Sequence, residues 1–372
     1  MRLKVLQLLP GLNHGGVERG TLDLSNYLIQ FDHSSIVVSN GGIFEKDITR
    51  LGGIHYPLPI ATKSIASLLQ YKNLAEIYLK ERPDIIHIRS RFPAWIHALA
   101  MRSLKNSNFL PKVVTTFHGL YSKPWYSKSM TYADKTIAIS ECVKSYIVKN
   151  YKLSHTDIKL IYRGCDISIF NRDAADSSWV DNFYGQFPNI KNKKIILFPS
   201  RITAWKGIES FGKVLSQLAG SDWIGVVAGP VAKNKERYFK KLTAQFANLI
   251  DSKKLVFVGS QSSIQNLYKL SKVTLNLSDK PEPFGRTIIE ATACGSVVIG
   301  WNRGGVGESI NLIDSWGLVN YLDFKQLSLK LRSALDGSRN TVDLPDIFTL
   351  EYQCKKTLDL YGQLLVPKQS VL

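Results

Sequence analysis

Long apolar runs are missing from this chain of 372 residues. No stretch of about 18 consecutive apolar residues occurs, so no membrane-spanning helix is predicted. The opening segment 1–10 is apolar, but Gln7 and Pro10 interrupt it, and no small-residue cleavage site follows. This pattern predicts a first β-strand rather than a signal peptide.

Cysteines and metal-binding patterns are also scarce. The chain has four cysteines, none of them paired at metal or redox spacing, and an Asp-x-Asp pair is absent. No His, Cys and Asp cluster has the spacing of a metal site. We therefore expect the reducing cytoplasm as the location, and we expect no metal and no other cofactor.

Acidic residues are outnumbered, with 30 Asp and Glu against 48 Lys and Arg, and the formal net charge is +18. None occurs between Asp84 and Asp134, where basic residues alternate with aromatic ones such as Trp95, Trp125 and Tyr126. Such a mixture suits an anionic membrane surface, and it would also suit single-stranded nucleic acid. A solvated basic face with the aromatic rings in the core is the third interpretation. We expect the membrane surface and do not expect nucleic acid as a partner.

Strand-like and helix-like segments alternate twice along the chain, separated by a polar, turn-rich stretch. This length suits two domains, and the alternation predicts parallel sheets with helices on both faces. Ligands of such sheets bind at the carboxyl ends of the strands. The predicted parts are an N-terminal domain, a linker, a C-terminal domain and a final helix, at 1–165, 166–192, 193–347 and 348–372.

Three motifs follow predicted strands. Gly15 and Gly16 stand in a glycine-rich turn that lets the backbone approach a phosphate. Arg201 and Lys206 follow the first strand of the second half, where a guanidinium and an ammonium could neutralise a diphosphate. His118 ends a β-branched strand, which predicts an imidazole at the edge of the sheet.

The segment Glu282-Pro-Phe-Gly-Arg-Thr-Ile-Ile-Glu290 lies between an apolar strand-like run and a helix-like run. Eight residues of helix turn about 800°, so the two acids would not share one helix face. We therefore place Glu282 in the loop and Glu290 on the helix. The free N–H groups at the start of that helix form an anion site.

The order and spacing of these motifs resemble the Glu-x7-Glu retaining glycosyltransferases of the GT-B fold, family 4. The resemblance implies two Rossmann-like α/β/α domains facing across a cleft, with the last helix crossing back to the first domain. It implies four catalytic residues, which are His118, Arg201, Lys206 and Glu282. It also implies a set of donor-binding residues, three of which are shared with the catalytic ones: Gly15, Gly16, Arg201, Lys206, Glu282, Phe284, Gly285, Arg286, Thr287 and Glu290.

Within that set, the resemblance places Glu282 at the transferred sugar and Glu290 at the ribose, and the backbone amides from Phe284 to Thr287 at phosphate. Family members often carry an aliphatic residue where this chain has Arg286. This arginine could add another cation to the site or point to solvent.

The function that follows is transfer of a hexose from a nucleotide-diphospho-sugar, with UDP as the expected nucleotide. The expected acceptor is a lipid-linked saccharide or a lipopolysaccharide-type glycolipid, with the enzyme on the inner face of the cytoplasmic membrane. Arg201 and Lys206 would supply the charge that a divalent metal supplies elsewhere. A nucleotide-sugar epimerase of the same fold and a non-catalytic polyanion-binding protein are the alternatives.

Overall fold

The computed structural model describes residues 2–13, 15–121 and 124–366, and the chain forms two compact units. The first unit runs up to Tyr162 and includes the segment from Leu350 onward. The second unit is continuous, from Arg163 to Thr349.

The first unit is built on a seven-stranded parallel sheet with the strand order β3-β2-β1-β4-β5-β6-β7. Its central strands are covered on both faces, which explains why they read as apolar runs rather than alternating ones. The strands are β1 Lys4–Leu8, β2 Ser34–Ser39, β3 Ile54–Pro57, β4 Ile85–Ile88, β5 Lys112–Phe117, β6 Lys135–Ala138 and β7 Ile158–Leu160. The helices are α1 Gly16–Gln30, α2 Glu45–Arg50, α3 Ile65–Leu69, α4 Tyr71–Glu81, α5 Arg91–Ser103, α6 Pro124–Ser127 and α7 Glu141–Tyr151.

The last helix of the chain, α16 (Leu350–Leu365), belongs to the first unit. Leu360 of this helix packs in one core with Leu3 and Val5, at the other end of the sequence. Its Tyr361 hydroxyl lies 2.6 Å from His87 Nδ1 in β4. Burial lowers the pKa of His87 well below its usual value, so the imidazole is neutral in this contact.

The second unit has a six-stranded parallel sheet with the order β10-β9-β8-β11-β12-β13. Its strands are β8 Lys194–Pro199, β9 Trp223–Ala228, β10 Leu255–Gly259, β11 Ser271–Asn276, β12 Val297–Trp301 and β13 Leu318–Val319. Its helices are α8 Ser177–Gln186, α9 Ile208–Ser216, α10 Glu236–Gln245, α11 Ala247–Asp251, α12 Ile264–Leu270, α13 Arg286–Ala293, α14 Gly304–Asp314 and α15 Phe324–Asp336. Two hydrophobic clusters belong to this unit.

The predicted linker 166–192 is part of this second unit. It contains α8, whose Phe183 is buried in the core together with Ile190. Throughout the ranges that the structure describes, no helix is both long and apolar enough to cross a bilayer. The prediction of two Rossmann-like α/β/α domains is confirmed.

Candidate active site

The second sheet places two functional loops side by side. Strands β8 and β11 are neighbours, and the chain proceeds from them in opposite directions across the sheet. Ligands of open α/β sheets bind at the carboxyl ends of strands at such a switch point. Arg201 and Lys206 follow β8, and Glu282 lies in the loop that follows β11.

Lys206 and Glu282 form an ion pair at this edge. Lys206 Nζ lies 2.8 Å from Glu282 Oε1, and the two side chains are only 16% and 12% exposed. Lys206 ends a short 3₁₀ turn, while Glu282 stands in the loop, as predicted. Because both charges are largely removed from water, loss of either partner leaves the other charge uncompensated.

Two side chains that the motif analysis missed hold Glu282 in place. The Ser278 hydroxyl donates to Glu282 Oε1, and Asn276 Nδ2 donates to the same oxygen at 3.2 Å. Asn276 also lies 3.3 Å from the Thr287 hydroxyl in α13. Among the described residues Glu282 Oε2 has no hydrogen-bond partner, which leaves it available to a ligand. Asn276 is the last residue of the buried strand β11, and Ser278 follows it closely. Polar residues at the end of a buried strand are the sequence feature that could have identified both.

A glycine makes the approach of Lys206 to Glu282 possible. Gly207 has a φ of +81°, and a Cβ there would lie 1.8 Å from the Leu277 carbonyl oxygen. The amide of Asp279 donates to the Trp205 carbonyl at 2.9 Å, which ties the two loops together. The short distance between the loops therefore depends on the absence of a side chain at 207.

We predict that Gly207→Ala lowers the thermal unfolding midpoint and reduces activity, because the loops must separate. Gly337→Ala is the matched control: Gly337 has a φ of +88°, but a Cβ there meets no atom within 4 Å. The left-handed backbone alone costs about 1–2 kcal/mol for a non-glycine residue, and both variants share this cost. A loss at 207 no greater than the loss at 337 would contradict the proposed role of loop contact.

Helix α13 begins at Arg286 with Gly285 as its N-cap residue, and Phe284 before it is buried. Glu290 lies on this helix, again as predicted, and is itself buried. Its carboxylate contacts Arg286, whose Nη2 lies 2.7 Å from Glu290 Oε1. Arg286 is thus an ion-pair partner of Glu290, a role that the motif analysis did not foresee.

The remaining predicted residues lie in several places. Arg201 is exposed, and within the described part of the chain its guanidinium has no hydrogen-bond or ion-pair partner. Gly15 and Gly16 form the start of α1 in the first unit, where a Cβ on Gly15 would lie 2.1 Å from a Glu18 carboxylate oxygen. His118 follows β5, also in the first unit, and its backbone amide lies 3.3 Å from the Tyr121 hydroxyl.

A groove of about 850 Å³ in the second unit is lined by 168–182 and by α12. None of the predicted site residues lines this groove. In the described ranges no group of three or more His, Cys, Asp and Glu side chains is placed to hold a metal ion.

Known proteins share the sequence features and the fold of this chain. Residues 14–169 match the family described as Glycosyltransferase Family 4, and residues 181–343 match the family described as Glycosyl transferases group 1. A solved glycosyltransferase from Rickettsia africae is 30% identical, with a TM-score of 0.85 over 98% of this chain and 99% of that one. The putative glycosyltransferase YtcC of Bacillus subtilis is 23% identical over 340 residues, covering 85% of this chain and 79% of that protein.

Anabaena HepE, solved in complex with UDP and glucose, shares the fold at 18% identity, with a TM-score of 0.78 over 97% of this chain and 100% of that one. The fold and the family matches together define a nucleotide-sugar-dependent glycosyltransferase of the GT-B type. The chain belongs to the group 1 glycosyltransferases, family 4.

Proposed function

We propose that this protein is a retaining glycosyltransferase that moves a hexose from a UDP-sugar to a lipid-linked saccharide or lipopolysaccharide-type acceptor. The observation that carries the proposal is the Lys206–Glu282 ion pair beside the start of α13. It combines a cation for a diphosphate with a carboxylate for sugar hydroxyls. The complex of HepE with UDP and glucose supports the choice of donor.

In the proposed mechanism, Arg201 and Lys206 hold the diphosphate. The bond between the sugar's anomeric carbon and the phosphate oxygen breaks, and its electron pair stays on that oxygen. Fixed cations stabilise this developing charge without reorganisation of water. The acceptor hydroxyl adds to the same face of the sugar and its proton passes to the leaving phosphate oxygen. The configuration is therefore retained without a protein nucleophile.

In this proposal Glu282 orients the sugar through Oε2, because Oε1 already accepts from Ser278 and Asn276 and is paired with the Lys206 ammonium. Glu290 binds the ribose, and the amides from Phe284 to Thr287 bind phosphate. For Gly15, Gly16 and His118, the roles that the family resemblance implies remain predictions.

Catalysis should not need a divalent metal, because Arg201 and Lys206 supply the positive charge that a metal ion would supply. We expect the same turnover after treatment with a chelator as before it. The measurement is transfer or donor hydrolysis with EDTA, followed by addition of Mg²⁺ or Mn²⁺. Activity that the chelator removes and either ion restores would overturn this prediction.

An exposed apolar surface on the first unit supports the membrane-bound acceptor. Ile65 and Leu69 of α3 and Trp125 of α6 are 79%, 56% and 72% exposed. The two segments are close, because Lys63 Nζ lies 4.8 Å from the centre of the Tyr126 ring. Apolar side chains beside lysines suit the interface of an anionic bilayer, so we propose that this surface binds the inner face of the cytoplasmic membrane.

Vesicle flotation tests this surface. We expect more protein with anionic than with neutral vesicles, and a marked loss of recovery for the double variant Ile65→Ser, Trp125→Ser. Leu110→Ser is the matched control, because Leu110 is also highly exposed, at 89%. It precedes β5, whereas Trp125 follows β5, and the strand places the two ends of β5 about 20 Å apart. Equal recovery with both lipids, or an equal loss for the control, would count against the surface.

The proposed reaction is separated from its alternatives by two measurements. A thermal-shift panel of nucleoside diphosphates and their sugars should show protection by UDP and a UDP-sugar. A polyanion-binding protein would show no protection that depends on the nucleobase. Product analysis should then show donor hydrolysis or transfer, whereas an epimerase would isomerise the sugar.

A further inference from the structure

Three donor atoms from two side chains hold the carboxylate of Glu290. Arg286 Nη2 and Nε lie 2.7 and 3.1 Å from Glu290 Oε1. The Tyr268 hydroxyl, from α12, donates to Glu290 Oε2 at 3.2 Å. Glu290 is 8% exposed and Tyr268 only 1%, so water does not compete freely for these contacts.

The number of donors limits what Glu290 can still bind. A carboxylate has about four acceptor positions, two on each oxygen. Arg286 uses both positions on Oε1, and Tyr268 uses one on Oε2. Among the described residues no other donor reaches Glu290, so one acceptor position remains, and it is on Oε2.

We propose that Tyr268 and Arg286 are positioning residues that restrict Glu290 to a single hydrogen bond with the donor ribose. This inference rests on the proposed function, in which Glu290 binds the ribose. A ribose presents two neighbouring hydroxyl groups, and only one of them can reach the open position on Oε2. The pocket therefore recognises one of the two hydroxyls strongly and the other weakly.

Tyr268 is suited to a positioning role. Its ring is buried beside Phe170, with the ring centres 6.3 Å apart, so a phenylalanine can keep the packing and remove only the hydroxyl. Burial and the neighbouring Glu290 raise the pKa of Tyr268 well above its usual value, which keeps the phenol protonated as a donor.

Arg286 supplies both of the donor atoms that occupy Glu290 Oε1. It precedes Glu290 by one helical turn, the spacing at which side chains of a helix meet. Replacement by leucine removes both donor atoms and releases Oε1. The second ribose hydroxyl could then bind there.

Isothermal titration calorimetry with UDP, 2′-deoxy-UDP and 3′-deoxy-UDP tests the proposal. For the natural protein, one deoxynucleotide should bind about tenfold more weakly than UDP, and the other about as well as UDP, because hydrogen bonds to charged groups are the strong ones. In Arg286→Leu both deoxynucleotides should be weaker than UDP. In Tyr268→Phe the tenfold difference should shrink, since the carboxylate is no longer fixed.

Tyr361→Phe is the matched control, because it removes another buried hydroxyl in the first unit and should leave the nucleotide pattern unchanged. Equal binding of the two deoxynucleotides to the natural protein would overturn the proposal while leaving the proposed function intact. An equal weakening of all three nucleotides in Tyr268→Phe would overturn it as well. Absence of UDP binding to the natural protein would contradict both the UDP donor and this inference.

Discussion

Lys206→Ala should lower kcat by at least tenfold, which corresponds to about 1.4 kcal/mol or more of transition-state stabilisation. The ammonium is held 2.8 Å from Glu282 and is largely shielded from water, so it is fixed before the reaction begins. A fixed cation stabilises the negative charge that appears on the leaving diphosphate. Initial rates over a range of donor concentrations, with folding checked by circular dichroism, give the comparison.

Lys240→Ala is the control for loss of one positive charge. Lys240 lies on α10 and is exposed, and no ion pair holds it in the described part of the chain. The control should retain kcat, because an exposed charge far from any partner contributes little. A folded Lys206→Ala protein with unchanged kinetics would remove the assignment of this residue to the diphosphate.

Glu282→Gln should reduce kcat by about a hundredfold, in the range found when one preorganised electrostatic group is removed. The amide has the shape of the carboxylate and can still accept from Ser278 and Asn276. It cannot neutralise Lys206, and it weakens the contact with the sugar hydroxyls. We expect the effect in kcat rather than in the donor KM, because the diphosphate contacts remain.

The double variant Lys206→Ala, Glu282→Gln tests whether the pair acts as a unit. Residues in direct contact show coupling energies of about 0.5–3 kcal/mol, so the combined loss should be smaller than the two single losses added. Strict additivity would mean that the ion pair has no part in catalysis. A single variant with the activity of the natural protein would contradict the role of that residue.

Much of the fold could be predicted from the sequence because the strands are buried on both faces. Apolar runs such as Ile85–Ile88 and Trp223–Ala228 therefore identify strands directly. The periodicity of apolar residues predicts one helix over 65–81 and one over 235–249. The structure divides the first at Gln70 and the second at Phe246. Periodicity alone does not show such divisions, since the apolar positions continue across them.

The sequence pattern does not predict helix α14, and the reason is physical. It begins Gly304-Gly305 and has a third glycine at 307, and glycine is a weak helix former. The structure shows why these residues are required: a Cβ on Gly304 or Gly305 would lie 2.7 or 2.4 Å from the carbonyl oxygen of Glu282 or Pro283. Tertiary contact with the loop of Glu282 thus overrides local propensity.

The site could be predicted as a set of residues but not as a set of contacts. Motif order placed Lys206 and Glu282 in the same region, yet only the neighbouring positions of β8 and β11 bring them together. Tyr268 belongs to no motif, because its contact with Glu290 joins two separate helices. In the sequence, Tyr268 is one tyrosine within a helix-like segment, and nothing there indicates a contact with Glu290.

The position of α16 has a consequence for how the protein is made. The core around Leu3 and Val5 needs Leu360 and Tyr361, which are translated after the whole second unit. The second unit is continuous in sequence from Arg163 to Thr349 and can be complete earlier. The half that is translated first is therefore the half that finishes folding last, and the part of its core that α16 covers must be kept from aggregating until that helix is made.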